Sequence, residues 1–216
     1  MRTKTLLLTA ALSAVGLSTS MAQVYSVNAV GFVNVTIPAK SYLIVANPLD
    51  AGAGNNTVGK LFKSVPEGFI VYKYVSGSYT INAYELGEFA QPNQALEPGE
   101  GAFVLNPSTT AALTITFVGE VKQGALTQDI PKGLSIQASK VPQAGVLDKD
   151  LGFPVVEGDI VYRFGRTNTG GNPAGYSVHG YELGEWGVVP NIEVAEGFFV
   201  NKAAAVAWNR NFNVNQ

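Results

Sequence analysis

Four carboxylates and four aromatic rings recur in one six-residue pattern: Tyr84-Glu85-Leu86-Gly87-Glu88-Phe89 returns as Tyr181-Glu182-Leu183-Gly184-Glu185-Trp186. Two carboxylates three residues apart have the composition for acid and base work on a glycoside. That chemistry needs carboxyls about 5–9.5 Å apart across a cleft, one with a raised pKa. The same acids have the composition to grip a cation. The rings suit binding instead. Tyr84, Phe89, Tyr181 and Trp186 are the candidate ligand-binding residues, because flat apolar faces, some with a polar handle, fit sugar rings or protein partners. Exposed on one side, two such platforms make a bivalent binder, and linked weak sites gain through effective concentration. The leading reading is nevertheless a structural turn, since a short motif kept in both copies is what each core requires. A hydrolase built on Glu85/Glu88 or Glu182/Glu185 ranks last.

The other residues that carry chemistry lack partners at the right spacing. His179 is the single histidine, so a Ser-His-Asp triad has to run through it and a histidine-based metal site cannot be assembled. It matches Asn82 in the other copy and is expected on a loop or strand edge. Asp148, Asp150 and Asp159 lack the D-x-D-x-D-G spacing of a calcium loop. Gly99-Glu100-Gly101 and Gly52-Ala53-Gly54 do not open a helix with the Lys-Ser/Thr or third glycine of a phosphate cradle. No cysteine is present, which removes thiolate nucleophiles and ligands. The expectation is therefore no catalytic residues, no metal, no cofactor and no enzyme.

These motifs sit in a chain written twice. Val65-Pro66-Glu67-Gly68-Phe69-Ile70-Val71-Tyr72-Lys73-Tyr74 returns as Val155-Val156-Glu157-Gly158-Asp159-Ile160-Val161-Tyr162-Arg163-Phe164, and Glu100-Gly101-Ala102-Phe103-Val104 as Glu196-Gly197-Phe198-Phe199-Val200. Order is kept, which describes a tandem repeat of about ninety residues. Glycine, proline and asparagine punctuate short apolar runs in the rhythm of strands and turns. Phe69 to Val75, Ser76-Gly77 and Tyr79 to Ala83 read as a hairpin. Leu113, Ile115 and Phe117 share one face of a strand, because side chains alternate with period two. Val58, Leu61, Phe62 and Val65 follow helical spacing after a Thr57 N-cap and stop at Pro66. In the second copy Gly152 and Pro154 leave little more than a turn. Arg210 aligns with Ile115 on the inward side of the last strand, where the charge either finds a carboxylate partner or marks an edge, the favoured reading; the opposite reading is a strand that pairs with another protein.

The first residues, Arg2 and Lys4, an apolar run from Leu6 to Leu17 and small residues to Ala22, have the order of a cleaved secretory signal. The run is too short to span a bilayer of about 30 Å. Removing Arg2 and Lys4 from 14 Lys+Arg leaves 12 against 16 Asp+Glu. That acidic balance, with scattered cations, excludes nucleic acid as the expected partner. An exported chain without cysteine relies on its hydrophobic core alone.

In order, Leu43-Ile44-Val45-Ala46-Asn47-Pro48, Ile70-Val71-Tyr72-Lys73-Tyr74 and Leu96-Glu97-Pro98-Gly99-Glu100-Gly101-Ala102-Phe103-Val104 resemble a module common in uncharacterised exported bacterial proteins. Its marks are an N-L-I-x-x-P strand, a V-Y-x-Y/W strand and an L-x-P-G-x-G-[YF]-[WF]-V turn and strand. The second copy departs from it, losing the Pro-Gly step in Ile192-Glu193-Val194-Ala195-Glu196-Gly197 and the Asn-Pro ending in Ser135-Ile136-Gln137-Ala138. The resemblance implies a β-rich extracellular module and no activity.

The expected protein is all-β, with one short helix per repeat, weaker in the second: a signal at 1–22 and two tandem pseudo-symmetric β-sandwich or barrel-like units at 23–117 and 118–216, sharing an interface. The expected function is an exported, non-enzymatic structural or interaction protein of the cell surface or extracellular matrix. The alternative is a carbohydrate-binding module using the repeated aromatic segments. Expected partners are the chain itself, another surface protein or a polysaccharide, with no membrane span after signal cleavage. The location is secreted: periplasmic, cell-surface or extracellular.

Overall fold

The computed structural model describes residues 29–165 and 175–214. The expected signal at 1–22 lies outside them. The chain is nearly all β. Its first half runs β1 (Val30–Ile37), β2 (Tyr42–Ala46), α1 (Val58–Leu61), β3 (Ile70–Val75), β4 (Ser78–Glu85), β5 (Glu88–Phe89), β6 (Gly101–Leu105) and β7 (Leu113–Glu120). The second runs β8 (Gly124–Ile130), β9 (Gly133–Ala138), β10 (Gly145–Val146), β11 (Ile160–Phe164), β12 (Tyr176–Glu182), β13 (Glu185–Trp186), β14 (Asn191–Ile192), β15 (Gly197–Lys202) and β16 (Val206–Phe212). Antiparallel pairing gives two five-stranded sheets, ordered β2-β6-β3-β4-β5 and β13-β12-β11-β15-β9, with two-stranded ribbons β1-β7, β16-β8 and β10-β14. The expected boundary at Val118 falls inside β7.

Local sequence accounts for most of these elements. Ser76 and Gly77, at φ 51° and 87°, close the expected β3–β4 hairpin, the two-residue turn whose twist suits antiparallel strands. Ile115 and Phe117 are buried as alternation requires, opposite Val35 and Val33 of β1. The helix is shorter than the apolar spacing implies, because Phe62 leaves helical backbone at φ −107° and ψ 56°. Val58, Leu61, Phe62 and Val65 are still all buried. Leu147 and Leu151 are buried in the second half without a helix.

Each half has its own core. Phe62 meets Phe69, Phe89 and Phe117 at ring-centre distances of 5.5, 6.4 and 5.9 Å, and Phe153 meets Phe198 and Trp208 at 5.8 and 5.1 Å. A third cluster, Ile44, Phe103, Ile136 and Phe199, joins the two sheets face to face. At its centre Gly101 and Gly197 cross, where an added Cβ on either would lie 3.3 Å from the other's Cα. Such a Cβ would also meet Ile136 Cγ2 at 2.5 Å or Ile44 Cγ2 at 2.6 Å. Flanking the crossing, Ala46 N donates to Ala195 O at 2.9 Å and Ala138 N to Gly99 O at 3.0 Å.

Charge pairs fasten the strands at this crossing. Glu196 takes a bidentate grip from Arg163 Nε and Nη2 at 2.7 and 2.9 Å, with both side chains buried, and accepts from Glu193 N at 2.8 Å. Glu100 likewise accepts from Lys73 Nζ and Glu97 N, each at 2.8 Å, but is 42% exposed. Leaving a buried charge unpaired costs about 3–5 kcal/mol, whereas an exposed pair contributes about 0–1.

Two predictions follow from this packing. Gly101→Ala or Gly197→Ala lowers the urea midpoint, with a loss of about 1–3 kcal/mol from overpacking. Glu196→Ala costs about 3–5 kcal/mol and Glu100→Ala about 1; equal losses in the same urea titrations would contradict the difference in burial.

Candidate functional site

The repeated six-residue motif is a two-residue turn joining β4 to β5 and β12 to β13. Leu86 and Gly87 have φ 56° and 87°, and Leu183 and Gly184 have 56° and 81°. A carboxylate from the preceding turn holds each tip. Glu67 accepts from Leu86 N and Gly87 N, both at 2.8 Å, and Glu157 from Leu183 N at 2.7 Å and Gly184 N at 3.2 Å. This explains why Glu67-Gly68 and Glu157-Gly158 travel with the motif. Glu85 pairs across the ladder with Glu88, and Glu182 with Glu185. All four acids are exposed, on a turn tip rather than around an enclosed cleft.

The four sequence-selected rings brace these turns. Phe89 and Trp186 are core residues, 4% and 9% exposed. Tyr84 and Tyr181 are half-buried and lie edge-on to them at 5.0 and 5.2 Å. Tyr181 also donates its hydroxyl to Gly184 O at 2.8 Å. Phe89 and Trp186 thus turn inward, and the aromatic surface that solvent reaches lies elsewhere.

That surface is the seam between the two large sheets. Tyr72 and Tyr74 on β3, Tyr79 on β4 and Phe103 on β6 share one sheet face, set by the register Tyr72↔Phe103 and Tyr74↔Tyr79. Facing them, Phe164, Tyr176 and Phe199 come from β11, β12 and β15. Phe103 lies 5.1 Å from Phe164 and 6.0 Å from Phe199, and Tyr74 lies 5.3 Å from Phe199. The seam does not close at its rim, where Tyr79 and Tyr176 are 44% and 50% exposed. Tyr42, Ile81, Leu134 and Val178 are exposed beside them. Burial, together with the nearby Tyr176 and Tyr74 phenols, pushes Tyr79 up to about 12, and burial also raises Tyr176. Burial, and a hydrogen bond that the Tyr72 hydroxyl donates to Tyr42, raise Tyr72. The phenols therefore stay neutral and able to donate hydrogen bonds at physiological pH.

His179 is a buried residue of β12 flanked by β11 and β13, not a loop or edge residue. Its Nδ1 donates to Val188 O at 2.8 Å, which leaves Nε2 facing Ser177 Oγ at 3.1 Å. Asn82, at the same register in the first half, does similar work: Nδ2 donates to Gln91 O at 2.7 Å and Oδ1 accepts from Gln91 N at 2.9 Å. Arg210 also moves from its expected place. Pairing of Val206 with Ile130, against Leu113 with Ile37, puts Trp208 level with Ile115 and Arg210 level with Phe117. Arg210 donates to Ser139 Oγ at 3.1 Å and to Gln143 Oε1, over the Phe212 ring. Among the described residues no group of three or more His, Cys, Asp or Glu is placed to hold a metal.

The chain matches no family model, no curated protein and no solved structure. Its chemistry has to be read from its own residues.

Burial lowers the His179 pKa, with neighbouring Arg163 acting in the same direction. The unfolded imidazole takes up its proton near pH 6.5, and the folded one only below that. Stability contributed by neutral His179 is thus complete above about pH 6.5 and falls as pH drops toward the folded value. Asn at 179 carries no titrating group, so His179→Asn flattens the change in urea midpoint between pH 7.5 and pH 5; an unchanged slope would contradict the assignment.

Proposed function

We propose that the protein is an exported, non-enzymatic interaction protein of the cell surface or extracellular matrix, in which two tandem copies of one β-unit present a shared aromatic seam. The matching sheet orders support the duplication, as does the pairing of first with last long strand in each half, β1 with β7 and β8 with β16. The order of charged, apolar and small residues at Arg2 to Ala22 supports export. The observation that carries the binding role is the open rim of the seam, where Tyr42, Tyr79 and Tyr176 stand exposed beside Ile81, Leu134 and Val178. Aromatic rings with one apolar face and one wet end are what binding surfaces use.

A polysaccharide is the second reading, favoured by the neutral phenols, which offer hydrogen bonds at the edge of an apolar face. The mature protein is expected to bind a surface protein or a glycan on arrays, polymers or intact cells. Truncating Tyr79 and Tyr176 to Ala weakens that binding about tenfold or more, the loss expected when aromatic anchors are removed. Tyr84→Ala with Tyr181→Ala lowers stability more than affinity. Seam variants that bind as well as wild type, or a wild-type protein that binds neither cells nor polymers, would overturn the reading.

A further inference from the structure

The turn tips carry a feature that the seam does not explain. Leu86 and Leu183 are 98% and 94% exposed and hold positive φ, a conformation unusual for a bulky residue. Glycine or asparagine would fit these turns with less strain, so leucine is not there for the turn. Each leucine is flanked in the chain by exposed carboxylates, Glu85 and Glu88 or Glu182 and Glu185.

A surface of opposite character lies at α1. A cavity of about 510 Å³ is lined by Lys60, Lys63, Thr114, Thr116 and the exposed Val118, with the buried Leu61, Phe62 and Ile115 also in its lining. Both lysines are exposed, and neither has an ion pair among the described residues. Val118 continues the apolar surface outward to Phe32, its partner across the β1-β7 ladder, and to Val30, all three exposed. An exposed apolar patch rimmed by charge marks an interaction surface.

We infer that a second copy of this chain docks here, one copy seating an acid-flanked leucine tip, Leu86 or Leu183, in the Lys60/Lys63 cavity of another. Charge complementarity selects this occupant: the knob is a leucine flanked by carboxylates, and the hole is a mixed polar and apolar cavity that carries two ammonium groups. A knob and a hole made of different residues make a head-to-tail contact, which extends into chains unless rotation closes a ring. The contact rests on the reading of the chain as an interaction protein and gives that protein one partner, itself.

Sedimentation of the mature protein over a concentration series tests it. Wild type is expected to associate as concentration rises and to dissociate in 1 M salt, where charge attraction is screened. Leu86→Asn/Leu183→Asn keeps the turns, since asparagine tolerates positive φ, and is expected to remain monomeric with an unchanged circular dichroism spectrum. Lys60→Glu/Lys63→Glu is also expected to be monomeric. An equimolar mixture of the two variants recovers dimers, because one retains the hole and the other the knobs. A wild type that stays monomeric, a variant that still self-associates, or a mixture without dimers overturns the contact. A monomer that still binds polymers through Tyr79 and Tyr176 overturns this contact while leaving the seam reading in place.

Discussion

The molecule depends on one close approach, the crossing of β6 and β15 at Gly101 and Gly197. Stacked sheets ordinarily sit about 10 Å apart with side chains between them. Here two residues without Cβ let the backbones touch, and β6 and β15 each pair with two neighbours in their own sheet. Moving either strand therefore moves a whole sheet. The crossing also sets how the aromatic faces meet: Phe103, Phe199, Ile44 and Ile136 are buried beside it, while Tyr79 and Tyr176 remain at the open rim.

Bringing strand ends together leaves polar groups to satisfy, and the halves do so with different chemistry. Backbone bonds from Ala46 and Ala138 settle the crossing itself. Beside it, Arg163 and Glu196 are fully buried where Lys73 and Glu100 stay partly wet. The guanidinium fork matches a carboxylate in two parallel bonds, so arginine suits the dry site better than lysine. The second half also buries Lys202 against Asp159 and Pro154 O. At the matching place in the first half, neutral Asn106 donates to Ile37 O, Pro38 O and Ala111 O.

The candidate site was only partly legible in sequence. The Leu-Gly turns are local, because positive φ at two adjacent residues closes a two-residue hairpin without help from elsewhere. The roles of Glu67 and Glu157 were not visible, since they reach tips 19 and 26 residues away. Alternation puts Tyr72 and Tyr74 on the face opposite Val71, but says nothing of what covers that face. Tyr84, Phe89, Tyr181 and Trp186 are set against their own cores. Arg210 lies two positions from its sequence match to Ile115, because only ladder register fixes the alignment of the last strand.

Sequence alone determined the β-rich class, the hairpins and the alternating faces, all of which follow from short-range sterics and from periods of two and 3.6. It also determined that no disulfide holds the fold, because there is no cysteine to form one. Tertiary structure decided which apolar faces are buried, which charges are paired and which rings meet solvent. Those outcomes depend on contacts between residues distant in sequence, above all on Gly101 meeting Gly197, and no local pattern records which of two similar faces a distant sheet will cover.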